Sequence, residues 1–276
     1  KSIMHLKARY RNQFMAPWPK IVIGCGRRSA PIGLWIKKKS NNHSHYIQIL
    51  WPGWPSKSID LIATPEHDQI SASKNIINFL TSPHIFAEEQ LNQARKKWSK
   101  TLKELPYPRI AVLIGGDTRK NKFLPSHSSA MIKLLINFIG STGSLMITTS
   151  RRTSKVTQEC IKKEVSLLGD RVVFWEKDLN TENPYPGFLS YADAVAVTGD
   201  SVSLCSEACS TGKPILIFSP IKITTSKQKM FHQSLIKKGI AEYLEKSDLD
   251  ILKKISYKPL NEAIFIAKEI KERFLN

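Results

Sequence analysis

The chain of 276 residues is 41% hydrophobic and 24% charged, which suits a folded protein of one large or two modest globular domains. No apolar run approaches the ~20 residues that a bilayer span requires, so no membrane-spanning helix is expected. Forty-two Lys and Arg against 23 Asp and Glu give a net charge of +19, a balance that suits phosphorylated ligands, an anionic membrane surface or nucleic acid. Nucleic acid is the least favoured, because no zinc finger, RNP-type aromatic motif or clear helix-turn-helix accompanies the charge.

The positive charge is concentrated at the start. No acid precedes Asp60, whereas that stretch holds Lys7, Arg9, Arg11, Lys20, Arg27, Arg28, Lys37, Lys38, Lys39 and Lys57. Residues 2–20 mix Lys7, Arg9 and Arg11 with Leu6, Tyr10, Phe14, Met15 and Trp18, a composition suited to lying on an anionic surface. The chain begins with Lys and has no charged-then-apolar leader pattern, so a fragment without its natural start is expected.

Strands are expected at 20–26, 46–50 and 60–64, as the first βαβ unit. "GCGRRS" (24–29) after the first of them nearly matches the dinucleotide fingerprint G-x-G-x-x-G. The third glycine is Ser29 and no acid follows about 20 residues on, so a dinucleotide-dependent oxidoreductase is a weak reading. Arg27 and Arg28 are better placed to reach an anion or an acceptor. "PEHD" (65–68) follows the third strand and offers His67 as a general base for an acceptor hydroxyl, with Glu66 and Asp68 as rivals. A polar helix over 87–105 then ends at Pro106 and Pro108, and Pro-Tyr-Pro reads as a linker. A first domain over 1–105 follows, with the amphipathic helix at 259–276 crossing back to it.

From 106 to 258 a second doubly wound domain is expected, with strands at 109–116, 144–150, 171–175, 193–198 and 214–218 and helices near 127–139, 154–167, 201–211 and 228–238. Open parallel sheets bind ligands beyond the carboxyl ends of their strands. Three such ends are polar here: Gly115, Gly116, Asp117, Thr118 and Arg119; then Ser150, Arg151 and Arg152; then Asp200, Ser201 and Ser203. The glycines allow close backbone approach, and Arg119, Arg151 and Arg152 can fork onto phosphate oxygens. In "TGDSVSLCSEACSTGKPILIF" (198–218), Asp200 or Ser201 caps a helix of small residues that Gly212 terminates. Asp200, Ser203 and Glu207 share one face. Packing does not explain Glu207, whose carboxylate could accept from two ribose hydroxyls while the helix N-terminus faces a pyrophosphate. An arginine or a water beside Asp200 would be needed to offset repulsion of that phosphate.

Cys25, Cys160, Cys205 and Cys209 form no CxxC pair and read as reduced thiols. The histidines, His127 and His232 included, follow no metal-ligand spacing, and neither a metal nor a cofactor is expected.

The donor-side loops resemble the donor domain of GT-B glycosyltransferases, in which a Gly-rich loop and an "E-A-x-x-x-G-x-P" helix hold a nucleotide-sugar. The ordered series "WPKIVIGCGRRSAPIGLWI" (18–36), "PEHD" (65–68), "IAVLIGGDTR" (110–119), "ITTSRRT" (147–153), "NPY" (183–185) and "GDSVSLCSEACSTGKPILIF" (199–218) is similar to the mitochondrial-fission ELM family. The resemblance implies two Rossmann-like domains facing a cleft. It also implies a nucleotide-sugar donor, transfer of the sugar to a cell-envelope or lipid-linked acceptor, and a cytoplasmic setting, peripheral at the inner face of a membrane. Members begin with a strand and a Gly-Asn-rich loop that this chain lacks, so the first domain is expected to be incomplete. The rival expectation is a non-catalytic GT-B-like binding or scaffold protein.

Overall fold

The computed structural model describes residues 7–11, 13–176, 181–221 and 223–275. The chain forms two compact units: residues up to Leu80 together with those from Glu262 onward, and Thr81–Asn261.

The first unit contains α1 (Ala8–Arg11), β1 (Ile21–Cys25), α2 (Ala30–Lys39), β2 (His45–Ile49), β3 (Leu61–Pro65) and β4 (Ile76–Phe79). The strands form one parallel sheet in the order β1-β2-β3-β4. Inward residues Ile47, Leu61, Ala63, Ile77 and Phe79 form one core layer. Tyr46, Ile59 and Ile62 form the other, with Val22 and Leu34 against them. Tyr46 is fully buried, and α2 lies close enough that a side chain at Gly33 would overlap its ring. Gly24 on β1 is in the same position toward the Tyr46 hydroxyl. That hydroxyl meets Gln48 Oε1, and Gln48 Nε2 donates to the carbonyls of Ile49 (2.7 Å) and Leu50 (3.1 Å), so a buried polar pair is fully used. Lys37 and Asp60 pair at 2.7 Å, and the Asp60 carboxylate accepts from Tyr46 N.

The second unit contains α3 (Glu88–Lys97), α4 (Ser99–Leu102), β5 (Arg109–Ile114), α5 (Pro125–Ile139), β6 (Ser144–Thr149), α6 (Lys155–Val165), β7 (Val172–Trp175), α7 (Tyr185–Tyr191), β8 (Ala194–Thr198), α8 (Val202–Ala208), β9 (Ile215–Phe218), α9 (Ser226–Lys237), β10 (Ala241–Tyr243) and α10 (Ile251–Lys254). Its sheet is parallel throughout, in the order β10-β9-β8-β5-β6-β7. This is the doubly wound Rossmann pattern, and strand order reverses between β5 and β8, where Ile110 pairs with Ala194 and Leu113 with Val197. The strands are apolar runs buried on both faces, as a covered parallel sheet requires. The chain then returns to the first unit as α11 (Glu262–Phe274), whose Ile266 and Ile270 pack on the β2–β4 layer.

The two units divide after Leu80, upstream of the Pro-Tyr-Pro segment. The reason lies in α3, which packs on α7: Arg95 donates to the Ser190 carbonyl at 2.6 Å and Tyr191 to the Arg95 carbonyl at 3.1 Å. The single helix expected over 87–105 breaks at Trp98 into α3 and α4. Four elements carry weak sequence signals: α2 and α7 each hold Pro and Gly within their length, and β4 and β10 span only four and three residues.

Candidate functional site

The second unit brings its three polar loops together at the point where strand order reverses. Gly115 N donates to Thr198 Oγ1 at 2.7 Å, and Gly116 N to Asp200 Oδ2 at 3.1 Å, tying the loop after β5 to the loop after β8. Ser150 Oγ donates to the Gly115 carbonyl at 2.7 Å, which ties in the loop after β6. Asp200 is buried, and Arg152 pairs with its carboxylate at 3.0 Å while donating to the Gly116 and Asp117 carbonyls at 3.2 and 2.8 Å. An arginine does stand beside Asp200. It is engaged in holding three loops together, and Arg119 and Arg151 are further exposed guanidiniums of this region. The space a side chain would need at Gly115 is filled by the Asp200 carboxylate.

Asp117 accepts from Phe123 N at 3.0 Å and Lys122 Nζ at 2.6 Å, and the Lys122 hydrogen bond holds its carboxyl below the ordinary value. Thr118 closes a turn with Asn121. Ser201 is the cap of α8, accepting from Leu204 N at 3.3 Å. Ser203 is exposed one turn before Glu207. Gly212, with φ of 68°, follows the short 3₁₀ turn that ends the helix.

Glu207 is half-buried. Its Oε2 accepts from the Tyr185 hydroxyl at 2.5 Å; burial raises its carboxyl above the ordinary value, and the tyrosine works against that rise. Burial likewise pushes the Tyr185 phenol well up, so it stays a donor at any working pH. Tyr185 and Leu204 line a cavity of about 420 Å³, together with Ile114, Thr149, Arg151, Trp175, Thr181 and Asn183. Glu207 lines a second hollow of about 350 Å³ with Ser82, His84 and Ser203. Beneath the loop after β8 lies His232, fully buried on α9, against Gly199 and Tyr243. The Gln228 amide one turn earlier donates to the Asp200 carbonyl at 2.5 Å.

Sequence reasoning located the loops and Glu207 but gave no role to Trp175, Tyr185 or His232. Tyr185 did carry a signal, as the last residue of "NPY". In the first unit, Arg27 and Arg28 are exposed in the turn after β1, and Arg27 lies against Gly53. Glu66, His67 and Asp68 form a short 3₁₀ turn after β3. Both turns follow the carboxyl ends of strands in one sheet. Residues 2–6 and 12 of the basic, aromatic N-terminal segment lie outside the described residues. Cys205 and Cys209 are buried among small side chains, Cys160 is partly buried and Cys25 is exposed. Among the described residues no helix is long and apolar enough to cross a membrane.

Two Rossmann-like units with all-parallel sheets place the chain in the GT-B-like class of α/β folds. A Listeria monocytogenes protein provisionally described as a UDP-N-acetylglucosamine 2-epimerase shares the fold, with a TM-score of 0.56 at 14% identity over 99% of this chain and 81% of the other. S. aureus MnaA, solved with UDP, matches with a TM-score of 0.50 at 12% identity, over 99% and 73%. The family model for mitochondrial fission ELM1 matches residues 2–274, and the chain belongs to that family. An uncharacterised Rickettsia prowazekii protein, RP120, is 31% identical over 92% of this chain and 79% of its own length. The mitochondrial fission protein ELM1 of Arabidopsis thaliana is 29% identical over 95% of this chain, which spans only 65% of that protein.

Proposed function

We propose that the chain binds a nucleotide-sugar on its second unit and transfers the sugar to a cell-envelope or lipid-linked acceptor. The observation that carries this reading is Glu207: a half-buried carboxylate held by Tyr185, whose own ring lines the cavity at the ends of β5 and β6. Such a carboxylate can accept from a pair of ribose hydroxyls. The amino end of α8, with Ser201 and Ser203, then faces the diphosphate. Arg151 and Arg119 supply its countercharge, and Arg152 offsets Asp200.

In this reading the first unit, with the final helix, forms the acceptor side, and the second unit, which includes α3 and α4, forms the donor side. His67 is the favoured general base, with Glu66 and Asp68 as rivals, and Arg27 and Arg28 guide an anionic acceptor. The acid-free start of the chain gives the acceptor side its affinity for an anionic membrane face. A second reading, a non-catalytic nucleotide-binding scaffold, draws on the engagement of Arg152 by three acceptors, which reduces the cations free for phosphate.

A thermal-shift panel of UDP-, GDP-, ADP- and CDP-sugars, followed by assay for released nucleotide, tests both. Binding with turnover supports the transferase, binding without turnover the scaffold, and no binding by calorimetry refutes both. Glu207→Ala should keep the fold and weaken binding by about 1–3 kcal/mol.

A further inference from the structure

The Asn183-Pro184-Tyr185 segment has no part in the phosphate-facing loops, yet its geometry is specific. Asn183 Oδ1 accepts from Tyr185 N at 3.0 Å, and Pro184 sits immediately before the first turn of α7. The segment thereby fixes Tyr185 so that its ring lines the 420 Å³ cavity and its hydroxyl reaches Glu207 on α8. On the far wall Trp175 ends β7, and Leu204 supplies an apolar surface.

Apolar and aromatic walls with a few polar groups at the rim suit a flat heteroaromatic ring. Next to that space a tyrosine fixes one oxygen of a carboxylate, leaving the other oxygen for a ligand hydroxyl. We propose that the cavity is the nucleobase subsite, with Trp175 its stacking face, and that Tyr185 is a positioning residue that sets Glu207 for the adjoining ribose. This rests on the nucleotide reading above and adds to it where the base lies and what aims the ribose contact.

Among the described residues, His84 across the second hollow and Cys205 on α8 itself are titratable groups that face the Tyr185–Glu207 pair, and Arg151 lines the same cavity as Tyr185. Burial lowers the histidine and raises the thiol, so both are neutral near pH 7. Tyr185 is the hydrogen-bond donor that works against the burial-driven rise of the Glu207 carboxyl.

Calorimetry with UDP, CDP, GDP and ADP identifies the tightest binder to the wild-type chain, and its 2′-deoxy form supplies the comparison. Trp175→Leu should weaken the ribo and deoxy forms alike, by about ten-fold. Tyr185→Phe, which preserves volume, should weaken the ribo form by about five-fold and leave the deoxy form unchanged. Its binding should also be lost at a higher pH than the wild type's, because Glu207 then titrates higher. A merely structural tyrosine would change neither the ribo-to-deoxy ratio nor the pH midpoint, and that result, with unfolding temperatures matched, overturns its role. Unchanged affinity in Trp175→Leu overturns the base assignment. No binding of any diphosphate by the wild type overturns the nucleotide reading itself, and this inference with it.

Discussion

Acidification should loosen the second unit through His232. This imidazole is fully buried on α9, and among the described residues its ring nitrogens make no hydrogen bond of normal geometry. Burial lowers its pKa from 6.5 to about 4, with the Gly199 backbone working weakly the other way. The folded state therefore keeps the ring neutral where the unfolded chain takes up a proton. Stability contributed by the neutral ring is intact above pH 6.5, falls as pH drops toward about 4, and changes no further below that. At about 1.4 kcal/mol per pH unit, the interval from 6.5 to about 4 amounts to about 3 kcal/mol. Urea unfolding at half-unit steps from pH 4 to 7.5, on the wild type and on His232→Gln, isolates the effect. The difference between the two proteins cancels other groups, including Glu207, whose raised carboxyl acts with the opposite sign. A difference that stays flat between pH 4.5 and 6.5 would show that His232 is hydrated or protonated in the folded protein, and would refute the reasoning.

Four further outcomes are expected. Arg152→Ala strips the countercharge from Asp200, whose side chain is 1% exposed, and should destabilise by about 3 kcal/mol; Arg151→Ala should leave the unfolding midpoint unchanged and weaken nucleoside diphosphate binding more than nucleoside binding. Gly115→Ala, which drives a methyl into the Asp200 carboxylate, should lower the melting temperature by several degrees by calorimetry, and an unchanged temperature would mean the loops shift freely. Sedimentation with anionic vesicles at low salt should capture the protein and release it as salt rises, whereas equal indifference to anionic and neutral vesicles would remove the membrane role.

The second unit's strands and polar loops were legible because buried parallel strands read as unbroken apolar runs, and loop chemistry stands out between them. β5, β6, β8 and β9 fall within one or two residues of the expected ranges. The weakly marked elements were those whose order comes from tertiary contact. β4 is four residues paired to β3, and α7 is held by Arg95 and by Tyr185 rather than by helix propensity. At the site, Glu207 could be singled out because an acid among small side chains has no packing role. Arg152 could not be separated from Arg151, since adjacent arginines are equivalent in sequence and differ only in which one turns inward to Asp200. Tyr185 lies 22 residues before Glu207, and no local pattern links them.

The fit of Gly24 and Gly33 around Tyr46 constrains how the first unit can change over time. A methyl at either glycine collides with the phenol ring or its hydroxyl, and shrinking Tyr46 alone opens a void and removes one of the two hydroxyl donors to Gln48 Oε1. Each single step is therefore unfavourable, while a smaller residue at 46 joined to alanine at 33 restores the volume. The three positions form an epistatic set: drift should preserve all of them or replace them as a block, and an isolated alanine at 33 should survive only in lineages where residue 46 has already lost its ring.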